Sequence, residues 1–283
     1  MNPNKTTLAL SALTAATMVT STASALAATP PPQDAKPTIV LVHGAFADGS
    51  SWNKVTEALQ NAGYRVVVPA NPLRGLKSDS AYVASVLKTI KGPIVFAGHS
   101  YGGEVITNAA TSNPQVKALV YAAAIAPEKG ESANDVLGAY PGSQLPSALD
   151  HFAYPLPNGG EGNDLYIKPD KFRAAFAADV AAPTAAAMAA AQRPIDDSAL
   201  GAKSENATWH TIPSWYLVAR NDQAIPATAQ RHMAQRAHAH VMEVNSSHAI
   251  TVSHPIEVTR VIKDAAQSVT GHTSSPSPDQ TNR

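Results

Sequence analysis

The sequence predicts an α/β fold, with a mostly parallel central sheet, helices on both faces and a helical cap inserted before the last two strands. Short apolar runs alternate with helix-like stretches in the first and last thirds of the folded body. The runs are apolar along their whole length, which is typical of parallel strands buried on both faces. Between these thirds, residues 128–212 contain alanine-rich helices and Gly/Pro loops without a strong strand pattern, which favours a helical cap over the sheet.

The individual elements follow from periodicity and from punctuating residues. The helix at 79–90 places Val83, Val86, Leu87 and Ile90 on one side. Gly63 closes the helix predicted at 51–62, because glycine readily adopts the left-handed conformation that ends helices. Strands are predicted at 38–42, 64–68, 93–97, 117–125, 214–219 and 241–244, and helices at 51–62, 79–90, 101–111, 169–181, 183–193, 227–237 and 255–269.

The two ends of the chain differ from the body. Residues 8–26 are uncharged and follow Lys5, and Ala25-Leu26-Ala27 offers small residues for a signal peptidase. This pattern predicts a signal peptide over 1–27, cleaved near Ala27, and export to the periplasm or beyond. A Pro-rich linker (28–36) then leads to a single domain over 37–270, and the polar tail 271–283 is expected to be disordered.

Composition excludes several functional classes. The chain of 283 residues has 21 basic and 21 acidic side chains, so no net charge draws it to nucleic acid or to an anionic membrane. It has no cysteine, which excludes disulfides and thiolate catalysis. No segment of the mature chain is apolar enough to span a bilayer. The sequence therefore indicates a small-molecule partner and leaves the oligomeric state open.

The sharpest motif is Gly98-His99-Ser100-Tyr101-Gly102-Gly103. It fits Gly-x-Ser-x-Gly, a tight turn that exposes a serine between a strand and a helix. Here it follows an apolar run and begins a helical pattern, as that turn requires. Ser100 is therefore the predicted nucleophile.

A serine nucleophile needs a base, and the base needs an acid to orient it. His248 follows the last predicted strand and is the predicted base. Asp222 follows the preceding strand, where side chains point into the cleft at the carboxyl edge of the sheet, and is the predicted acid. Glu128, just beyond the strand that ends at Ile125, remains an alternative acid.

The other histidines are assigned no catalytic role. His43 and His99 lie inside glycine motifs and are expected to pack or to bond the backbone. His238 and His240 could share a strand face, but they have no third ligand nearby, so no metal site is predicted. His254 is expected to neighbour a helix cap, and four histidines belong to no constellation: His151, His210, His232 and His272.

The oxyanion formed during acyl transfer needs two backbone N–H donors. Tyr101, directly after the nucleophile, is one predicted donor. Ala45, in the loop after the first strand, is the other, with Phe46 as second choice. The substrate pocket is expected to be apolar and built partly by the cap, with Phe152, Met188 and Trp209 as candidates or as ordinary cap core.

The segments 40–45, 51–52, 98–103, 221–226 and 247–249 together resemble the α/β-hydrolase superfamily, and more narrowly its branch of plant methyl esterases, hydroxynitrile lyases and bacterial esterase relatives. The resemblance implies the triad Ser100, Asp222 and His248, with Ala45 and Tyr101 as oxyanion donors. The lyases carry Thr where Gly44 stands here and Lys where Ala249 stands. These departures imply a hydrolase rather than a lyase.

The leading functional hypothesis is therefore cofactor-free hydrolysis of a small to medium, largely apolar carboxylic ester or lactone through an acyl-enzyme. A perhydrolase or haloperoxidase-like enzyme would use the same triad with peroxide in place of water. A binding protein on a catalytically dead hydrolase scaffold is the alternative from another class, because a fold alone does not fix a function.

Overall fold

The computed structural model of the protein describes residues 36–271. The predicted signal peptide, nearly all of the linker and all but the first residue of the polar tail lie outside them. The first half of the described chain alternates as predicted, with these elements: β1 (Thr38–Val42), α1 (Asn53–Asn61), β2 (Val66–Val67), α2 (Leu76–Leu87), β3 (Ile94–His99), α3 (Tyr101–Ala109) and β4 (Val116–Ala122).

An insertion follows β4 and forms the cap. Its elements are α4 (Ala133–Ala139), α5 (Leu145–Ala148), β5 (Leu149–Pro155), β6 (Glu161–Ile167), α6 (Pro169–Phe176), α7 (Ala182–Ala191), β7 (Ile195–Asp196) and α8 (Asp197–Gly201). The chain then returns to the sheet through β8 (Ser214–Ala219), α9 (Ala227–Arg236), β9 (His240–Val244), α10 (Ile250–Ser253) and α11 (Pro255–Val269).

The central sheet of the described residues has six parallel strands in the order β2-β1-β3-β4-β8-β9. The predicted fold class is confirmed. Strand neighbours bring distant segments together: Val42 on β1 pairs with Gly98 on β3, and Ala219 on β8 pairs with Val244 on β9. Because all strands run the same way, the loops after β1, β3, β8 and β9 open at one edge of the sheet.

Alternate side chains of the inner strands enter two separate cores. Ile39 and Leu41 face a layer formed by α1 and α11, with Trp52 at its centre. Val40 and Val42 face the opposite layer, which contains α2, α3 and α9 and continues into the cap. The inner strands β1, β3, β4 and β8 are therefore covered on both faces, which explains their apolar runs.

The cap contains more than the predicted helices. Its two predicted helices are present as α6 and α7, but β5, β6 and β7 form an antiparallel three-stranded sheet that the sequence pattern did not predict. Much of β5 and β6 is exposed or only half-buried, so these strands lack the apolar alternation that a half-buried strand shows. The predicted helical cap therefore also contains a small antiparallel sheet.

Over 36–271, every helix is too short or too polar to traverse a bilayer.

Candidate active site

Ser100 occupies a strained turn between β3 and α3. Its backbone has φ 55° and ψ −129°, outside the regions that a residue with a β-carbon prefers. The turn is held by backbone bonds, since the N–H groups of Gly103 and Ile125 both donate to the carbonyl oxygen of Ser100, over 3.0 and 3.1 Å. Strain of this kind persists only where the surroundings fix it, and it clusters at functional sites.

Two glycines allow the turn to form. A β-carbon on Gly98 would lie 2.5 Å from the carbonyl oxygen of Gly102, so the strand and the helix could not approach as they do. A β-carbon on Gly44 would lie 2.5 Å from the β-carbon of Ser100. The loop after β1 therefore packs directly against the serine, and this contact requires glycine at position 44.

Asp222 and His248 form a buried pair. His248 Nδ1 lies 2.7 Å from Asp222 Oδ2, and both side chains are almost completely shielded from solvent. The register of β8 and β9 explains the contact, because Ala219 and Val244 are paired only a few residues before the two side chains. Asn221 N–H also donates to Ser246 O over 3.0 Å, which ties the two loops together.

Each oxygen of the Asp222 carboxylate accepts two hydrogen bonds. Its Oδ1 accepts from the N–H groups of Ala224 and Ile225 over 2.7 and 2.9 Å. Its Oδ2 accepts from Gln230 Nε2 over 2.8 Å as well as from His248. An ionised carboxylate accepts all four bonds, so Asp222 is fixed in place and aligns the imidazole through Nδ1.

Gln230, on α9, is a positioning residue that the sequence did not reveal. It is fully buried, and its Nε2 donates to Ile225 O over 2.7 Å as well as to Asp222. Its Oε1 accepts from Ala219 N–H at the end of β8 over 2.9 Å. One amide thus joins the strand, the turn and the acid, and it orients Asp222 without contacting the pocket described below.

Substitution of Gln230 by Leu should weaken both the fold and the triad. Loss of these buried bonds should lower the free energy of unfolding by about 1–3 kcal/mol. Weaker alignment of Asp222 should lower kcat about tenfold with little change in KM, as expected for a loss of about 1.4 kcal/mol in transition-state stabilisation. Denaturant melts and ester kinetics measure these effects, with Gln235→Leu as a control on the exposed side of the same helix. Equal kcat values in the two variants would exclude the positioning role.

Two other histidines, His43 and His99, are unsuited to act as the base. Burial, reinforced by the neighbouring His248, lowers the pKa of His99 to about 3. His43 is also buried, and burial lowers its pKa. His99 Nε2 donates to His248 O over 2.8 Å, while His43 Nδ1 donates to Gly44 O over 2.9 Å and its Nε2 accepts from Asn71 N–H over 3.1 Å. Both histidines bond the backbone, as predicted.

His99 also connects the serine to the base. It precedes Ser100 in the chain, its Nε2 bonds the backbone of His248, and the two imidazole centroids lie 4.8 Å apart. The strained serine and the oriented imidazole therefore belong to adjoining segments at one end of the sheet.

The backbone around Ser100 distinguishes the oxyanion candidates. Phe46 N–H is occupied, since it donates to Arg193 O over 3.1 Å. Tyr101 begins α3, where the first N–H groups have no partner within the helix. Among the backbone bonds of residues 36–271 outside helices and strands, none uses the N–H of Ala45. Ala45 and Tyr101 therefore fit the donor role better than Phe46.

Several other predicted candidates lie apart from this site. Glu128, the alternative acid, lies with its Oε2 3.0 Å from Nε2 of the half-exposed His210. His240 stacks on Trp215, with ring centroids 4.8 Å apart. Within the described part of the chain, no three His, Asp or Glu side chains are placed to hold a metal ion.

An apolar cavity of about 230 Å³ opens beside Ser100, and we refer to it as the inner pocket. Leucines form much of its wall, and polar side chains stand among them at Asn134, His151 and Asp197. The leucines are Leu137, Leu145, Leu149, Leu165 and Leu200.

The three predicted pocket residues are all absent from this lining. Phe152 is 54% exposed on β5. Trp209 is buried and donates from Nε1 to Pro127 O over 2.8 Å. Met188 lines a separate cleft. Cap strands and short cap helices, rather than the alanine-rich helices, supply the cap part of this wall.

Hydrogen bonds and a ring contact join the cap to the loop that carries His248. Ala249 N–H donates to Phe176 O over 2.9 Å, and the Phe176 ring meets the His248 ring edge-on with centroids 4.8 Å apart. On the other side, Ser247 donates to the Asp179 carboxylate from its N–H, over 3.0 Å, and from its hydroxyl. Burial opposes ionisation of Asp179, but these hydrogen bonds hold its pKa below the usual range.

Asp79, on α2, is hydrogen-bonded to Tyr101, the residue directly after Ser100. Its Oδ2 accepts from the Tyr101 hydroxyl over 2.8 Å, and its Oδ1 accepts from Arg74 N–H over 3.1 Å. Burial raises the pKa of Asp79. Asp79, Asp179 and Gln230 carried no motif, so only their contacts reveal these roles.

Comparison with known proteins identifies the family of the chain. The model of the alpha/beta hydrolase family matches residues 39–261. A carbendazim hydrolyzing esterase of Nocardioides sp. (strain SG-4G) is 35% identical over 106 residues, which cover 33% of this chain and 44% of that esterase. A pyrethroid hydrolase of Sphingobium wenxiniae is 28% identical over 246 residues, which cover 81% of this chain and 87% of that hydrolase.

Among solved structures, polyneuridine aldehyde esterase superposes with a TM-score of 0.71 at 20% identity, over 81% of this chain and 99% of that protein. At this identity the likeness concerns the fold. The family match, by contrast, spans most of the chain and includes the nucleophile turn and both partner loops. The resemblance found in the sequence is confirmed, and the chain belongs to the alpha/beta hydrolase family.

Proposed function

We propose that the protein is a serine hydrolase that cleaves small to medium, largely apolar carboxylic esters or lactones through an acyl-enzyme. The observation that carries the proposal is the buried Asp222–His248 pair, because the His248 backbone is hydrogen-bonded to His99, which directly precedes a strained serine that lines an apolar pocket. A hydroxyl is a weak nucleophile, and an imidazole held by a carboxylate is the arrangement that activates it. The esterase and hydrolase names of the relatives support the same chemistry.

The reaction uses the residues in fixed roles. His248 takes the proton of Ser100 as the serine oxygen attacks the ester carbonyl, and the N–H groups of Ala45 and Tyr101 stabilise the oxyanion. His248 then protonates the departing alcohol, which leaves an acyl group on Ser100. Water, activated by the same imidazole, releases the acid and restores the serine. Asp222 keeps Nδ1 protonated throughout, so Nε2 remains free to shuttle the proton.

The inner pocket supports an uncharged acyl group. Its wall is mostly apolar and includes five leucines, and burial of an ionised group against these side chains would be costly. Each buried methylene would contribute about 0.8 kcal/mol to binding. Acyl groups that fill the pocket should therefore be preferred over shorter ones.

Hydrolysis fits the site better than cyanohydrin cleavage. The lyases of the resembled branch carry Thr at the position of Gly44, but a β-carbon there would overlap the β-carbon of Ser100 in this backbone. They also carry Lys after the catalytic histidine, whereas Ala249 is small and buried here. These two positions therefore favour ester hydrolysis over cyanohydrin cleavage.

Covalent labelling tests the proposal directly. A fluorophosphonate should modify Ser100 in the folded protein, and Ser100→Ala should abolish the label. Ser85→Ala, which removes an exposed serine on α2, should be labelled normally. Mass spectrometry of the labelled peptide identifies the site. A folded wild-type protein that resists the reagent would refute the proposed nucleophile.

A further inference from the structure

Two cavities meet at Phe46. The inner pocket lies on one side, next to Ser100. On the other side is a cleft of about 220 Å³, which we call the outer cleft, between the loop after β1 and helix α7 of the cap. Its walls include Asp48, Ser50, Thr184 and Met188. Phe46 belongs to the lining of both cavities, so its side chain lies between them.

The position of Phe46 is strongly constrained. Its backbone is left-handed, with φ 59°, which is a costly conformation for a bulky side chain. Its N–H is bonded to Arg193 O of the cap, and its ring meets the edge of Phe176 at a centroid distance of 6.5 Å. Only 4% of its surface is exposed. Because contacts with the cap and the core hold this strained backbone, the Phe46 side chain is fixed in one position.

We infer that Phe46 is a specificity-determining partition, which limits the length of the acyl group by separating the inner pocket from the outer cleft. The inference rests on the proposed ester hydrolysis and specifies its substrate range. With Phe46 in place, an acyl chain must end within the inner pocket. Without the ring, the two cavities join and the available space roughly doubles.

The outer cleft is suited to the far end of such a chain. Met188 on α7 is half-buried there, and Val252 lies in the same lining, so part of the wall is apolar. Asp48 and Ser50 supply polar groups at the opposite side. A longer acyl chain that passes position 46 would run along the apolar side.

Esters of p-nitrophenol with butyryl and decanoyl groups measure the effect. The ratio of kcat/KM for decanoate to that for butyrate should rise at least about tenfold in Phe46→Ala, because pocket contacts with added methylenes are worth roughly this factor. Met188→Ala enlarges the outer cleft behind the intact partition and should leave the ratio unchanged. In Phe46→Ala/Met188→Trp, a bulky side chain refills the cleft, and the ratio should fall back toward the wild-type value.

The outcomes separate this inference from the proposed function. An unchanged ratio in a Phe46→Ala protein that still hydrolyses butyrate would overturn the partition while leaving ester hydrolysis intact. An equal rise in Met188→Ala would also overturn it. A wild-type protein without activity on either ester would instead count against the proposed function. If Phe46→Ala does not fold, Phe46→Leu, which keeps an apolar side chain but removes the ring, carries the same comparison with a smaller expected rise.

Discussion

Replacement of Ser100 by Ala is expected to lower kcat/KM for a p-nitrophenyl ester by at least about 10³-fold. The variant loses the attacking oxygen but keeps the oxyanion donors and the pocket, so it retains substrate binding and weak stabilisation of the transition state. Steady-state kinetics on the variant measure the loss. A residual rate should remain above the rate in buffer, since the donors act on any attacking water.

The fold of this variant should be unaffected. Alanine can occupy the strained turn no less easily than serine, and the turn is held by backbone bonds to the carbonyl of residue 100. A melting curve that matches the wild type, together with normal activity in Ser85→Ala, would establish that the loss is chemical. Activity of Ser100→Ala within tenfold of the wild type would show that another residue is the nucleophile.

Asp222→Asn should cause a comparable loss, of about 10³-fold or more in kcat. The carboxylate accepts four hydrogen bonds, two at each oxygen. An asparagine has only one acceptor oxygen. If that oxygen faces the backbone N–H groups of Ala224 and Ile225, the amide N–H₂ faces Gln230 and favours the wrong tautomer of His248. If the oxygen instead faces His248 and Gln230, the amide N–H₂ faces the backbone N–H groups of Ala224 and Ile225, and donors then meet donors.

The kinetic pattern distinguishes this effect from general damage. KM should change little, because Asp222 does not line the inner pocket. Asp170→Asn, in the exposed first turn of α6, makes the same chemical change far from any such network and should be silent. A folded Asp222→Asn protein with kcat close to that of the wild type would exclude Asp222 from the proposed triad.

The parallel strands and the nucleophile turn were predictable because each leaves a local trace. A buried parallel strand is apolar throughout, and the turn at Ser100 needs glycines at fixed spacing. Asp222 and His248 could be proposed because both follow strands whose carboxyl ends must share an edge. Their actual contact depends on the pairing of β8 with β9, which the sequence only implied through strand order.

The features that the sequence did not predict depend on contacts between distant segments of the chain. Gln230 appears in the sequence as an ordinary polar residue of a helix, and Asp179 as a loop residue. The cap strands β5 and β6 are largely exposed, so no apolar pattern marked them. Phe152 and Trp209 were reasonable as large apolar side chains, but size does not determine whether a residue faces a cavity, a core or solvent.

The bonds between the cap and the His248 loop limit how a substrate can enter. Phe176 and Asp179 bind the residues on either side of His248, so a hinge motion of this part of the cap would displace the proposed general base. We therefore expect substrate to enter while this part of the cap stays bound to the His248 loop. The same coupling makes heat inactivation sensitive to the cap, because release of these few contacts would disable the imidazole while the central sheet is still folded.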